Sequence, residues 1–237
     1  DTANMLCSYV YEYLTDTLPG EQLRKEDLLY LQIGAECSKC YSYYTYQCDS
    51  LMAAPNGDKQ WDSFLTEAVG KGLKGKQLHN AIPHRRMSAT IYKNYPQGKI
   101  TVTDFLLGQY HLYEDALNSQ EWNIESDSMK VVLGHECQKA TCSFRGRKWT
   151  AWFALDVPVS DGPLKFCGLP GLIMEVYDRG KQYYFCINGM QQVSATPITF
   201  GNLDKDFKHF QKINRKDFLI SKYRYLRNQN SINEAST

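Results

Sequence analysis

The sequence predicts an α+β fold made mainly of antiparallel strands. Three observations carry this. Runs rich in β-branched and aromatic residues recur at short intervals, turn sequences bearing Gly or Pro separate them, and helical spacing is confined to one internal stretch and the C-terminal section. Strands so closely spaced favour a meander, because a parallel crossover needs a dozen or more connecting residues.

Residues 8–14, Ser-Tyr-Val-Tyr-Glu-Tyr-Leu, have the composition of a strand, and residues 28–33 read as a second. Residues 40–48 carry tyrosines among Ser, Thr and Gln, which suits a pleated surface better than a helix core. After the Pro55-Asn56-Gly57 turn, Trp61, Phe64, Leu65 and Ala68 recur at helical spacing, so residues 58–69 predict a surface helix stopped by Gly70 or Gly72. Residues 71–86 read as a basic loop. Strands follow at 87–95 and 99–105 around Pro96-Gln97-Gly98, with short pieces at 110–113, 121–124 and 129–133. Further strands are expected at 136–144, 148–155, 172–178, 182–187 and 191–200, and residues 202–227 suggest one or two amphipathic helices packed on the sheet. With no boundary, repeat or low-complexity tract, the chain reads as one domain over residues 1–237, with fraying expected at 1–7 and 228–237.

The 27 Lys and Arg nearly balance 26 Asp and Glu, and a formal charge of +1 does not supply the field that holds a phosphate backbone. Nucleic acid is therefore not an expected partner. No apolar run approaches the roughly 20 residues of a membrane-spanning helix, and the acidic start lacks the basic flank of a signal peptide, so the chain is expected to be soluble and already processed.

The eight cysteines, Cys7, Cys37, Cys40, Cys48, Cys137, Cys142, Cys167 and Cys186, fall into two groups of four. An even set in a chain of 237 residues points to disulfides and an oxidising compartment. Cys37-Ser-Lys-Cys40 also has a zinc-ribbon spacer, but no second pair matches it, and neither a metal nor another cofactor is expected. On one strand Cys137 and Cys142 have opposite parity and are not expected to bond to each other. His135 and Cys137, two apart, share a strand face and leave a soft-metal site open. A hydrolase using Cys or His is the other alternative. The histidines His79, His84, His111, His135 and His209 stand in no metalloprotease helix motif and beside no Gly-x-Ser-x-Gly elbow, so no catalytic residue is assigned.

The most informative block runs from Gly134 to Asp178. Arg145-Gly146-Arg147 predicts a hairpin turn whose arginines either bind an anion or keep a sheet edge soluble, and the return strand carries Trp149 and Trp152. In Gly168-Leu169-Pro170-Gly171-Leu172-Ile173, Pro170 presets φ and Gly171 accepts positive φ, which predicts a type II turn. Leu169 and Leu172 are apolar where an exposed bend would be polar. Either the domain covers the bend or a partner docks there.

These residues resemble the GLPGLI family. The resemblance extends to Gly134, Cys137 to Ala140, Phe144 to Arg147, Trp149 to Phe153, Pro158 to Ser160 and Gly162 to Phe166, and upstream to Leu31-Gln32-Ile33-Gly34 and Ser38 to Ser42. Cys40 stands where the family pattern has an aromatic residue, which suggests an additional disulfide. The resemblance implies an exported protein of the Bacteroidota envelope, periplasmic or associated with the outer membrane, with a TonB-dependent outer-membrane receptor or other envelope protein as partner. It also implies a curved sheet or half-open barrel like that of lipoprotein carriers, with a few packed helices. It brings no catalytic residues. The expected function is a binding or accessory protein whose aromatic concave sheet holds a hydrophobic or peptide-like ligand, with Arg145, Arg147, Trp149, Trp152, Leu169, Pro170, Gly171 and Leu172 as candidate binding or motif residues.

Overall fold

The computed structural model describes residues 1–15, 23–201 and 209–234. In chain order the elements are β1 (Thr2–Leu14), β2 (Arg24–Gly34), β3 (Ser38–Ser42), α1 (Tyr43–Ala53), α2 (Gly57–Gly70), α3 (Gly75–Ala81), β4 (Thr90–Lys93), β5 (Lys99–Leu106) and β6 (Gln109–Ala116). They continue with β7 (Asn123–Val132), β8 (His135–Phe144), β9 (Arg147–Ala154), β10 (Leu172–Asp178), β11 (Tyr183–Pro197), β12 (Gln211–Lys212) and α4 (Arg215–Glu234).

The strands form one 12-stranded sheet in the order β12-β6-β5-β4-β3-β2-β1-β11-β10-β9-β8-β7. Every pairing is antiparallel except that of β12 with β6. The mainly antiparallel α+β expectation therefore holds, with a sheet that is not closed. Three hairpins turn on two residues that both take positive φ, Leu107-Gly108, Leu133-Gly134 and Arg145-Gly146, the type I′ geometry whose twist matches that of the flanking strands.

Curvature brings distant strands together. Asp115 on β6 lies 3.0 Å from Arg145 in the β8–β9 turn, although β6 and β8 stand near opposite ends of the strand order. The concave face is filled by residues 155–171 and by α4, whose Phe218 is buried against Tyr113 at a ring separation of 5.4 Å. A buried ion pair fixes the filling segment: Lys93 Nζ lies 2.6 Å from Asp161 and also donates to the carbonyls of Gly162 and Leu164. With every donor of the ammonium directed at an acceptor, burial of this charge is compensated.

Several expectations change. Residues 2–7, expected to fray, are the start of β1, which pairs on both sides, with β2 and β11. At the other end α4 runs through Glu234, beyond the point where fraying was expected, and the last three residues lie outside the described ones. The tyrosine-rich stretch 40–48 is strand only to Ser42; the Ser42 side chain then accepts from the Thr45 N–H and starts α1, so a cap overrides the aromatic composition. Residues 75–81 form α3 within the expected loop, and residues 123–132 form one strand with an irregularity between Glu125 and Met129 in place of two pieces. Likewise β11 is continuous. The expected helices of 202–227 reduce to α4, preceded by the two-residue β12, and residues 202–208 lie outside the described ones.

Gly171 does not take positive φ, so the predicted type II turn is absent; the left-handed glycine is Gly168, at φ +90°. What Gly171 supplies is clearance. A Cβ there would stand 2.0 Å from the Ala154 carbonyl oxygen, where the bend packs on the end of β9. Leu169 and Leu172 are buried by the domain itself, while Gly168 and Pro170 are exposed.

Candidate functional site

Alternation on each strand divides the sheet into two faces. Tyr11, Ile91, Val102, Tyr113, Trp149, Tyr183 and Phe185 share the concave face, and between them and Leu164, Lys165 and Phe166 lies an apolar cavity of about 300 Å³. Its walls are aromatic. Tyr11 stacks on Phe185 with ring centroids 4.4 Å apart, and Phe166 meets Trp149 edge-on at 4.6 Å. Both geometries suit the ring quadrupoles and hold the rings in place. Trp149 is oriented by donation from Nε1 to the Phe144 carbonyl, 3.0 Å. The filling segment is pinned from outside by Trp122 Nε1 on the Cys167 carbonyl and by Gln120 on the Lys165 carbonyl, both 2.8 Å.

Among the described residues the charged groups lining this cavity are all cationic: Arg145, Arg147 and Lys165, with no carboxylate among them. Their counterions stand behind. Arg147 meets Asp178 at 2.6 Å and the Gln182 side-chain oxygen at 2.7 Å, and its guanidinium lies over Tyr183. Lys165 and Arg145 share Asp115, at 2.8 and 3.0 Å, and Arg215 approaches the same carboxylate at 3.9 Å. Burial pushes the Lys165 ammonium down to about 8, against the opposing pull of its hydrogen bond to Asp115. At Asp115 burial pushes upward, but the hydrogen bond and charge of Lys165, together with Arg145, hold the carboxyl below its usual range. Burial, with Asp115 nearby, raises the Tyr113 phenol to about 12, so this wall of the cavity stays neutral.

The structure thus brings Arg145, Arg147 and Trp149 together. Trp152 lies on the opposite face of β9, where Lys130 stands over its ring at 4.8 Å, because the two tryptophans differ by an odd number of positions. Leu169, Pro170, Gly171 and Leu172 do not reach the cavity; they hold its supporting segment. Sequence reasoning missed Lys165, Phe166, Tyr11, Tyr183 and Phe185. The alternating tyrosines of β1 were a signal for Tyr11, whereas the others depended on register between distant strands.

The disulfide expectation is overturned: Cys7, Cys37, Cys40, Cys48, Cys137, Cys142, Cys167 and Cys186 are all free thiols. No two of them stand opposite each other in any strand pair. Cys7 and Cys40, which share a face, are separated by Leu31 on the intervening strand, too far for a bond. Cys137 and Cys142 are likewise apart on β8. Burial raises every one of the thiols, Cys7 and Cys142 to about 12 and Cys40 and Cys137 to about 11, which keeps them protonated and poorly nucleophilic. His135 turns its ring to Asp156 at 2.7 Å, and the Cys137 thiol donates to the His135 carbonyl. Among the described residues no three of His, Cys, Asp and Glu are grouped to hold a metal ion. Nor is any helix there long and apolar enough to cross a membrane.

Residues 142–175, from the end of β8 into β10, match a family model described as a protein of unknown function (Porph_ging). That segment contains the arginine turn, Trp149, Lys165, Phe166 and the Gly168 to Ile173 run, but the match is short and does not carry the GLPGLI name. No curated protein matches the chain. Two solved structures of PNGF-II, in space groups P21 and C2, are similar at 10% and 11% identity, each with a TM-score of 0.54 over 92% of this chain. The chain spans about a third of their length, 33% and 32%. At such identity the likeness concerns fold alone, so by comparison this chain is similar to a β-rich part of PNGF-II and carries a segment matching a family of unknown function.

Proposed function

We propose that this protein is a binding protein that holds an apolar ligand in the cavity between its concave sheet and residues 164–166. The observation that carries the reading is the aromatic-lined volume of about 300 Å³. That is roughly twice the ~150 Å³ that accommodates benzene in an engineered protein cavity, enough for an apolar body of about ten carbons. Rings already fixed by stacking lose little freedom when a ligand arrives. A neutral naphthylamine dye is expected to bind the purified protein with a rise in fluorescence. Ala89→Trp, which fills the cavity from its half-buried wall, should abolish that rise while leaving the melting temperature within a few degrees of the parent. Undiminished dye binding by the filled variant counts against the reading.

An envelope location and an outer-membrane receptor as partner belong to the same proposal. They rest on the resemblance around the Gly168 to Ile173 run, with no contribution from disulfides. Fractionation of native cells followed by affinity isolation tests both; recovery in the cytosol without an envelope partner would remove this part and leave the cavity reading intact.

A further inference from the structure

We infer that the ligand of this cavity is an amphiphilic anion, a carboxylate with an apolar chain of about ten carbons, whose apolar body lies among the aromatic rings and whose head meets Lys165 and Arg145. The inference rests on the reading of the cavity as an apolar binding site and adds the chemistry of the head.

Charge is the first ground. Lys165, Arg145 and Arg215 converge on Asp115, at 2.8, 3.0 and 3.9 Å, so among the described residues three cations are answered by one carboxylate. Two of the three line the cavity, and the carboxylate stands behind them. A second anion entering from the cavity side would relieve the excess without displacing Asp115. In a wall otherwise apolar, such a pairing is screened far less than on an open surface.

Donor capacity is the second. Lys165 Nζ donates to Asp115 and lies 3.0 Å from the Tyr113 hydroxyl, which among the described residues leaves one of its three N–H groups. Arg145 reaches Asp115 through one terminal nitrogen while its guanidinium lies 4.9 Å from the Phe144 ring, so most of its five donors have no partner among the described residues. Arg215 Nε is buried without a hydrogen-bond partner. A carboxylate has two oxygens, which matches one free ammonium proton and a guanidinium edge. Position is the third ground: Arg145 and Lys165 line the same volume as Phe166 and Trp149, so the polar end and the apolar body of one molecule are both accommodated.

The test is displacement of the neutral naphthylamine dye from the full chain by decanoate and, separately, by decanol, which share a chain length and differ in charge. Decanoate is expected to displace at roughly tenfold lower concentration. Arg145→Asn, which suits the left-handed turn position, should remove most of that advantage and leave decanol within about twofold of the parent. Lys165→Met should act in the same direction wherever it folds. Equal displacement by decanoate and decanol overturns the anion inference and leaves the apolar site standing. Failure of the dye and of both ligands to bind overturns the apolar site itself.

Discussion

Lys39 illustrates how a single side chain sets a pH dependence. It is buried on the convex face of β3, donates to the Thr199 carbonyl and hydroxyl oxygens at 2.9 Å each, and has no carboxylate at ion-pair distance among the described residues. Burial lowers its ammonium to about 8, below the value of an unfolded lysine. The native state therefore surrenders this proton first, and stability contributed at this position rises as pH climbs from about 8 to about 10.5. Lys39→Met is expected to be more stable than the parent at pH 7 by about 3 kcal/mol, with the gap closing by about pH 10.5. Urea melts at several pH values check this, and a gap independent of pH would contradict it. None of this was legible beforehand, since a lysine in a strand is ordinarily solvent-facing. The two tryptophans of β9 are the opposite case: their parity was in the sequence, and it assigns Trp149 to the cavity and Trp152 to the far face.

Among the elements, the bend before β10 is the most constrained. Leu169 and Leu172 are buried, and Gly171 lies against the Ala154 carbonyl. Leu169→Ser deletes buried apolar surface and places a hydroxyl in the core, a loss of about 3–5 kcal/mol. Gly171→Ala forces the bend away from β9 and is expected to cost several kcal/mol through overpacking. Both should unfold at markedly lower temperature by circular dichroism; a variant with the parental melting temperature would show that the bend can give way. Strands and hairpin turns were readable because alternation and Gly-bearing dipeptides are local signals. Helix α1 was misread because one serine cap outweighed the composition of the residues after it. Gly171 was recognised as required, but for φ; the actual requirement, room beside another strand, belongs to tertiary structure.

For the molecule as a whole, Asp115 ties β6 to the β8–β9 turn and so joins remote parts of one sheet. Because its carboxyl is held below the ordinary 3.8, it contributes stability above about pH 4 that is lost as pH falls below that value. Asp115→Asn should lower stability at pH 7 by about 2–4 kcal/mol, because it leaves clustered cations unopposed, and should flatten the acid limb of the stability curve. Chemical denaturation between pH 2 and 7 measures both effects. Such a tie could not be anticipated from the sequence, where only the curvature of the complete sheet relates residue 115 to residue 145. The position of β1 has a consequence of another kind. It lies between β2 and β11, and its Ser8 contacts Asn188 across 180 positions of chain. A ribosome or a translocation pore releases these partners far apart in time, so the centre of the sheet is assembled late, by closure of a very long loop.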